Sequence, residues 1–393
     1  MSILSSARHD GHISTSSADR PRTIAIAAGG TGGHIYPGLA VADELRARGH
    51  HVIFFGSDDR MENRIVPARG YHLETSRIHG LTGPRSALTL PGTLSAAVMR
   101  SARALRRAGV EAVLGTGGYP SMPALIAARL LGLPALVHES NCVPGLANRT
   151  AARLGAEVAV SSTAAARGFA AVSRTAGQRA AAITGMPIDP ALVGLDRRSL
   201  RTRARKQLGV PESGVLVLVS GGSLGAQAVN DAALELGVAR NGDPGIHFLI
   251  KTGAAAARDV DSTAVTTVDY LSRMDLAYAA ADLIVARAGA STVAELEHLG
   301  LPAVLVPLTT SAGGHQQANA DHLRSQGLAD VIAEDELSPS RLDAAITDLL
   351  ARTGELRNRD RGEAAGGTAD SIHARAAATL ADSLLALLPA PRR

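Results

Sequence analysis

Apolar positions in this chain gather into short unbroken runs, and the stretches between them bring apolar residues back every three or four positions. Thr23–Ala28, His51–Gly56, Val110–Leu114, Ala135–His138, Val158–Ser161 and Ala182–Thr184 are such runs. Their length and continuity predict strands buried on both faces, which is the signature of a parallel sheet. Pro91–Arg107 and Pro123–Leu131 show helical spacing between them. The rhythm restarts after Gly185-Met186-Pro187. Val215–Ser220, Ile246–Lys251, Val265–Val268, Asp282–Ala286 and Leu301–Pro307 read as strands, and Gln227–Leu236 and Ser272–Ala281 as helices. Strands alternating with helices predict α/β architecture. At 393 residues the chain exceeds one ordinary core, so two units are expected: 22–185 and 186–368. An Ala/Leu-rich helix at about 369–390 is expected to pack back over both, and 1–21 is expected to be a disordered tail.

The strand ends carry the chemistry. Thr23–Ala28 runs into Gly29-Gly30-Thr31-Gly32-Gly33-His34, with Pro37 where a first helical turn tolerates proline. A strand, a glycine turn and a helix N-terminus together make an anion site, because free backbone N–H groups point outward there. His34 places an imidazole at its mouth, suited to general-base work near neutral pH. A similar arrangement follows Ser220, in Gly221-Gly222-Ser223-Leu224-Gly225-Ala226. Another follows Ala286: Gly289 and Ala290 open a helix, Ser291 and Thr292 add hydroxyls in its first turn, and Glu295 lies one turn in. Two such helix starts in one domain suit a diphosphate, and Glu295 is placed to accept the hydroxyls of a ribose. A helix-surface carboxylate steadied by its own dipole is the plainer account of Glu295. HESNCVPGLANR (His138–Arg149) sets further polar residues beyond a strand's carboxyl end, where open α/β sheets bind ligands.

Composition removes other classes. Aromatic residues are 2% of the chain, too few for base-stacking platforms, and no nucleic acid partner is expected. The two lysines, Lys206 and Lys251, lie outside any GxxxxGK[ST] motif. A dinucleotide fingerprint fails as well, since the third glycine of GxGxxG is Ile35. The single cysteine, Cys142, makes neither an intrachain disulfide nor a cysteine-rich metal site. No acidic pair marks a metal site and no cofactor is implied. No apolar run reaches the ~20 residues of a membrane span. The net charge is +4, and Arg100, Arg103, Arg106 and Arg107 cluster on one predicted helix. A solvated surface accounts for them. With Leu81, Arg85, Leu88 and Leu90 they also fit a basic, apolar-tipped patch for an anionic membrane surface, at about 1 kcal/mol per arginine.

These motifs in this order resemble the MurG family, bacterial transferases that convert lipid I to lipid II: GGTGGHIYP, HESNCVPGLANR, GGSLGA, DYLSRMDLAYAAADLIVARAGASTVAEL and HQQANA. The resemblance implies the GT-B fold, two Rossmann-like parallel-sheet domains around a deep cleft, with no tightly held catalytic metal. It implies UDP-GlcNAc as donor, inversion at the anomeric carbon, and a polyprenyl diphosphate-linked muramoyl peptide as acceptor. By motif match His34 is the base. Thr31, Gly32, Gly33, Asn141, Ser223, Leu271, Ala290, Ser291, Thr292, Val293, Ala294, Glu295 and Gln316 touch the donor. Peripheral attachment to the cytoplasmic face of the membrane is also implied. Three positions depart from the family. Asp189 stands where an arginine is expected on the nucleotide, with Arg197 or Arg198 as substitutes. Leu224 replaces a glutamine, and Ser291 an apolar residue. Rival readings are a transferase with a soluble acceptor, a UDP-sugar epimerase, an NAD(P) oxidoreductase and a non-catalytic paralogue.

Overall fold

The computed structural model describes residues 20–76, 84–176, 180–221, 226–253, 260–309, 312–359 and 371–389. The expected tail before residue 20 and Leu81 lie outside them, as do Ser223 and Leu224. Of Arg85, Leu88 and Leu90 only the backbone is described.

The first sheet has seven strands in the order β3-β2-β1-β4-β5-β6-β7. They are β1 (Thr23–Ala28), β2 (His51–Ser57), β3 (His72–Ser76), β4 (Ala112–Gly117), β5 (Ala135–Glu139), β6 (Glu157–Val160) and β7 (Ala182–Ile183). The second has six, in the order β10-β9-β8-β11-β12-β13. These are β8 (Val215–Ser220), β9 (Ile246–Lys251), β10 (Val265–Val268), β11 (Leu283–Ala286), β12 (Ala303–Leu305) and β13 (Ala329–Val331). Every pairing is parallel. Each sheet reverses its strand order beside its first strand, so each has a crevice at the carboxyl ends of two central strands.

Helices α1 (Gly32–Ala47), α2 (Glu62–Ala68), α3 (Pro84–Arg107), α4 (Met122–Leu131), α5 (Leu146–Arg153) and α6 (Thr163–Ala176) accompany the first sheet. Helices α7 (Arg197–Leu208), α8 (Gln227–Ala239), α9 (Met274–Ala280), α10 (Ala290–Leu299), α11 (His315–Ser325) and α12 (Pro339–Arg359) accompany the second. The last helix, α13 (Ile372–Leu385), lies on α1 and reaches α10. Its Leu380, Ala381 and Leu384 are fully buried in the same core as Ile24, Ile26 and Phe54. At its start the Met186 N–H donates to His373 Nδ1 at 3.0 Å, and His298 Nδ1 meets Ser371 Oγ at 2.7 Å. One helix thus ties the seam between the two sheets.

The structure differs from expectation in places. Helix α3 starts at Pro84, before Pro91; a proline's missing N–H and its restriction on the preceding residue argue for a helix start that the chain does not use. Strand β13 is three residues long, below the reach of any periodicity. Two arginines of α7, Arg201 and Arg205, turn inward. Arg205 is fully buried, and with Arg201 it pairs with Asp282 at 2.8 and 2.7 Å. Breaking such a buried pair on one side costs about 3–5 kcal/mol.

Candidate active site

A cleft of about 530 Å³ opens between the carboxyl ends of the two sheets, lined by Thr31–His34 and Gly117–Tyr119 on one side and by Gly289, Ala290, Thr292 and Gln316 on the other. Its size suits a small-molecule substrate.

On the first wall, His34 leaves the β1–α1 turn half-buried. Its Nδ1 lies 3.2 Å from Gly29 O and 3.2 Å from Thr31 Oγ1. A carbonyl only accepts, so Nδ1 carries the proton and Nε2 keeps a free lone pair. Burial lowers the imidazole pKa below its ordinary value, partly offset by the Glu139 carboxylate and the Gly29 carbonyl. Burial thus favours the neutral ring, the form a base requires. Gly117 and Gly118, both at positive φ (99° and 75°), make room for it. A Cβ on Gly117 would lie 2.9 Å from His34 Cδ2, and one on Gly118 would lie 2.1 Å from Gly29 O. The β1–α1 turn is not the empty anion site expected. Glu62, fully buried, accepts from Gly30 N at 3.1 Å and from Ser57 N at 2.9 Å. An internal carboxylate already occupies the first part of that turn.

The second wall has no such brace among the described residues. Gly289 precedes α10, and Ala290 and Thr292 face the cleft. Ser291 Oγ is buried without a hydrogen-bond partner, 4.0 Å from where a Gly33 Cβ would sit. Here the two walls come close. Val293 and Ala294 contribute their side chains to the core instead, and the Val293 N–H is engaged by Gly289 O at 2.9 Å. Glu295 is half-buried and accepts from Tyr278 Oη at 2.6 Å. Burial pushes its carboxyl up to about 7, against the pull of the Tyr278 hydroxyl and Lys251; the charge on Asp189 adds to the rise. Leu271 lies buried in the core shared with α9 and α10. Gln316 lines the cleft with its Oε1 held by the Leu308 N–H at 2.9 Å.

The proposed substitutes for a cation on the nucleotide are elsewhere. Arg197 donates to Tyr278 O at 3.0 Å and Ala281 O at 2.6 Å, closing the end of α9, and Arg198 is exposed. Asp189 takes the Ala191 N–H at 2.9 Å, capping a short turn.

Residues that stand within the sequence motifs, without a role of their own there, join the walls. Glu139, 2% exposed, accepts from Asn141 N, Asn141 Nδ2, Gly145 N and Asn148 Nδ2 at 2.9–3.1 Å, which shapes the 139–148 loop. Asn319 on α11 accepts from Cys142 N at 2.9 Å and donates to Asn141 Oδ1 at 3.2 Å. His315 reaches Val143 O at 2.7 Å. Asn141 therefore joins one wall to the other. The signals available for these were the polar run beyond β5 and the HQQANA segment that opens α11, whose partners only the fold reveals.

Two family models match the chain: the glycosyltransferase family 28 N-terminal domain over residues 24–160 and its C-terminal domain over residues 216–375. A Nocardia farcinica UDP-N-acetylglucosamine--N-acetylmuramyl-(pentapeptide) pyrophosphoryl-undecaprenol N-acetylglucosamine transferase is 38% identical, covering 90% of this chain and 94% of the relative. Its namesake from Halorhodospira halophila is 41% identical over 88% and 94%. The crystal structure of Acinetobacter baumannii MurG superposes with a TM-score of 0.70 at 28% identity, covering 93% of this chain and 99% of that one. A calicheamicin glycosyltransferase, at 16% identity and a TM-score of 0.64, shares the fold. Matched in both halves and along most of its length, the chain belongs to glycosyltransferase family 28 and, within it, to the MurG enzymes.

Proposed function

We propose that the cleft moves N-acetylglucosamine from UDP-GlcNAc to the 4-hydroxyl of a muramoyl sugar on a polyprenyl diphosphate, with His34 as the base. As the acceptor oxygen attacks the anomeric carbon, His34 Nε2 takes its proton. A C–O bond forms on one face while the bond to the β-phosphate oxygen breaks on the other, so the configuration inverts. The charge that develops on the departing UDP meets the free N–H groups and hydroxyls at the start of α10, around Ala290, Ser291 and Thr292. Glu295 takes the ribose hydroxyls, exchanging its Tyr278 contact for them. Leu271 and Gln316 border the nucleotide and the sugar, and Thr31, Gly32, Gly33 and Asn141 complete the donor site from the other wall. The observation that carries this reading is an imidazole held through Nδ1 and seated on glycines, opposite a helix start with no carboxylate on it among the described residues.

The test is release of UDP from labelled UDP-GlcNAc with a lipid I analogue and with small aglycones in parallel. Transfer to the muramoyl acceptor alone supports the reading. Transfer only to aglycones, UDP release without any acceptor, or no turnover with either contradicts it.

The membrane reading rests on α3. Arg100, Arg103 and Arg106 are exposed beside Met99, which is 51% exposed, while Val98, Ala102 and Leu105 are buried. Arg107 pairs with Glu74 at 2.6 Å. No helix among the described residues is long and apolar enough to cross a membrane. Replacing Arg103 with alanine is expected to weaken sedimentation with anionic vesicles about fivefold, at ~1 kcal/mol per arginine. Equal sedimentation with neutral and anionic vesicles contradicts the patch.

A further inference from the structure

Asn148 carries an acceptor that no described residue uses. It stands in the first turn of α5, 2% exposed, and lines the cleft. Its Nδ2 donates to His138 O at 3.1 Å and to Glu139 Oε2 at 2.9 Å. Both partners are acceptors, so the carboxamide has one sensible orientation; turned over, its oxygen would face a carbonyl and a carboxylate. In that orientation Oδ1 is buried and has no hydrogen-bond partner. Buried polar atoms in folded proteins are nearly always paired, so an orphan in a cleft wall points to a ligand.

The orphan requires an O–H or N–H donor, and the carboxamide that carries it lines the cleft beside the base. A Cβ on Gly117 would be 3.2 Å from His34 Nε2 and 3.4 Å from Asn148 Nδ2, so imidazole and carboxamide flank one spot. We propose that Asn148 is a positioning residue for the acceptor, its Oδ1 receiving a hydrogen bond from the 6-hydroxyl of the muramoyl ring. This rests on the acceptor reading above. The reacting 4-hydroxyl has one hydrogen, and that hydrogen goes to His34. The 3-oxygen of a muramoyl ring is an ether and donates nothing. The acetamide N–H at C2 lies across the ring, whereas the 6-hydroxyl hangs from C5, the carbon next to C4. Holding it aims O4 at the anomeric carbon with its hydrogen toward Nε2. A loss of that aim costs rate steeply, because attack needs a narrow range of geometries.

The experiment is a cycle between enzyme and acceptor. Wild type, Asn148→Ala and Asn148→Ser are each assayed with a lipid I analogue and with its 6-deoxy counterpart, and UDP binding is followed by calorimetry. Wild type is expected to lose about 10- to 100-fold in kcat/KM on the 6-deoxy acceptor, since the buried oxygen is then left unpaired. The variants lose a similar factor on the parent acceptor, lose little more on the 6-deoxy one, and bind UDP as before. A merely structural role would leave the 6-deoxy penalty intact in the variants, which overturns the proposal. So does a variant that moves the acid limb of the pH–rate profile instead, because Asn148 would then be serving the protonated imidazole. Wild type using both acceptors equally overturns it with no variant needed, even if neither variant folds. Absence of any muramoyl transfer by wild type removes the underlying reading and this proposal together; transfer with no 6-deoxy penalty removes this proposal alone.

Discussion

Two strand-to-helix turns face each other across the cleft, Gly29–His34 after β1 and Gly289–Thr292 after β11. Both follow the carboxyl end of a central parallel strand, and both open a helix whose first N–H groups lack intrahelical partners. They are finished differently. The first has a carboxylate folded into it, Glu62, on Gly30 N and Ser57 N, and carries a histidine seated on Gly117 and Gly118. The second has no carboxylate on its N–H groups among the described residues, and it buries an unpaired hydroxyl at Ser291. The difference divides the labour. An internal anion beside the first turn repels a phosphate, while its pull on the imidazole opposes the burial that lowers the ring's pKa. The second turn, left open, offers its dipole and donors to a leaving diphosphate.

The comparison breaks most severely at Gly118. An alanine there would set its Cβ 2.1 Å from Gly29 O, at a φ of 75°. The backbone must shift and carry the imidazole with it, so kcat is expected to fall by about 10² or more. Gly132→Ala is the control: its φ is 68°, with nothing within 4 Å of the new methyl. It should show the strain of about 1–2 kcal/mol in thermal unfolding and no change in turnover. A Gly118→Ala enzyme with full activity would show that the seat does not position the ring.

A smaller effect sharpens the donor side. Glu295→Gln is expected to raise KM for UDP-GlcNAc about tenfold with a lesser change in kcat, as loss of a charged hydrogen-bond acceptor does. The wild-type carboxyl titrates at about 7, raised by burial. It is ionised above that pH and protonated below it, so donor KM should climb as pH falls from 8 to 6. The glutamine variant should lack that dependence. A wild-type donor KM that is flat across this range contradicts the assignment.

The smallest functional effect is expected at Glu62. Glu62→Gln loses one acceptor and leaves the Gly30 or Ser57 N–H unpaired, at about 1–3 kcal/mol of stability. Thermal unfolding should move down while donor affinity stays constant. Improved donor affinity in this variant would mean the first turn does bind phosphate, and the division between the walls would fail.

The parallel strands were legible because buried strands such as Val215–Ser220 need unbroken apolar runs, and their glycine ends declare themselves. The position of His34 at the cleft was legible from its place after a turn. Glu62 was not: it lies on α2, in a stretch with no strong period, and only the fold carries it under the turn. The same holds for Asn319, which reaches 177 residues back to Cys142. Arg197 misled for the opposite reason. It reads from sequence as a stand-in for the arginine expected at Asp189, while in the fold its guanidinium closes backbone carbonyls at the end of α9. Position along the chain reveals which strand end a residue follows. It does not reveal which polar groups are consumed within the fold.

The central claim is that the base and the diphosphate grip sit on separate walls. The most direct measurement is His34→Ala, with kcat on the lipid I analogue and UDP-GlcNAc affinity by calorimetry on the same preparation. The account predicts kcat lower by about 10²–10⁴ with donor affinity little changed. Unchanged turnover, or a loss of donor binding as large as the loss of rate, would contradict it.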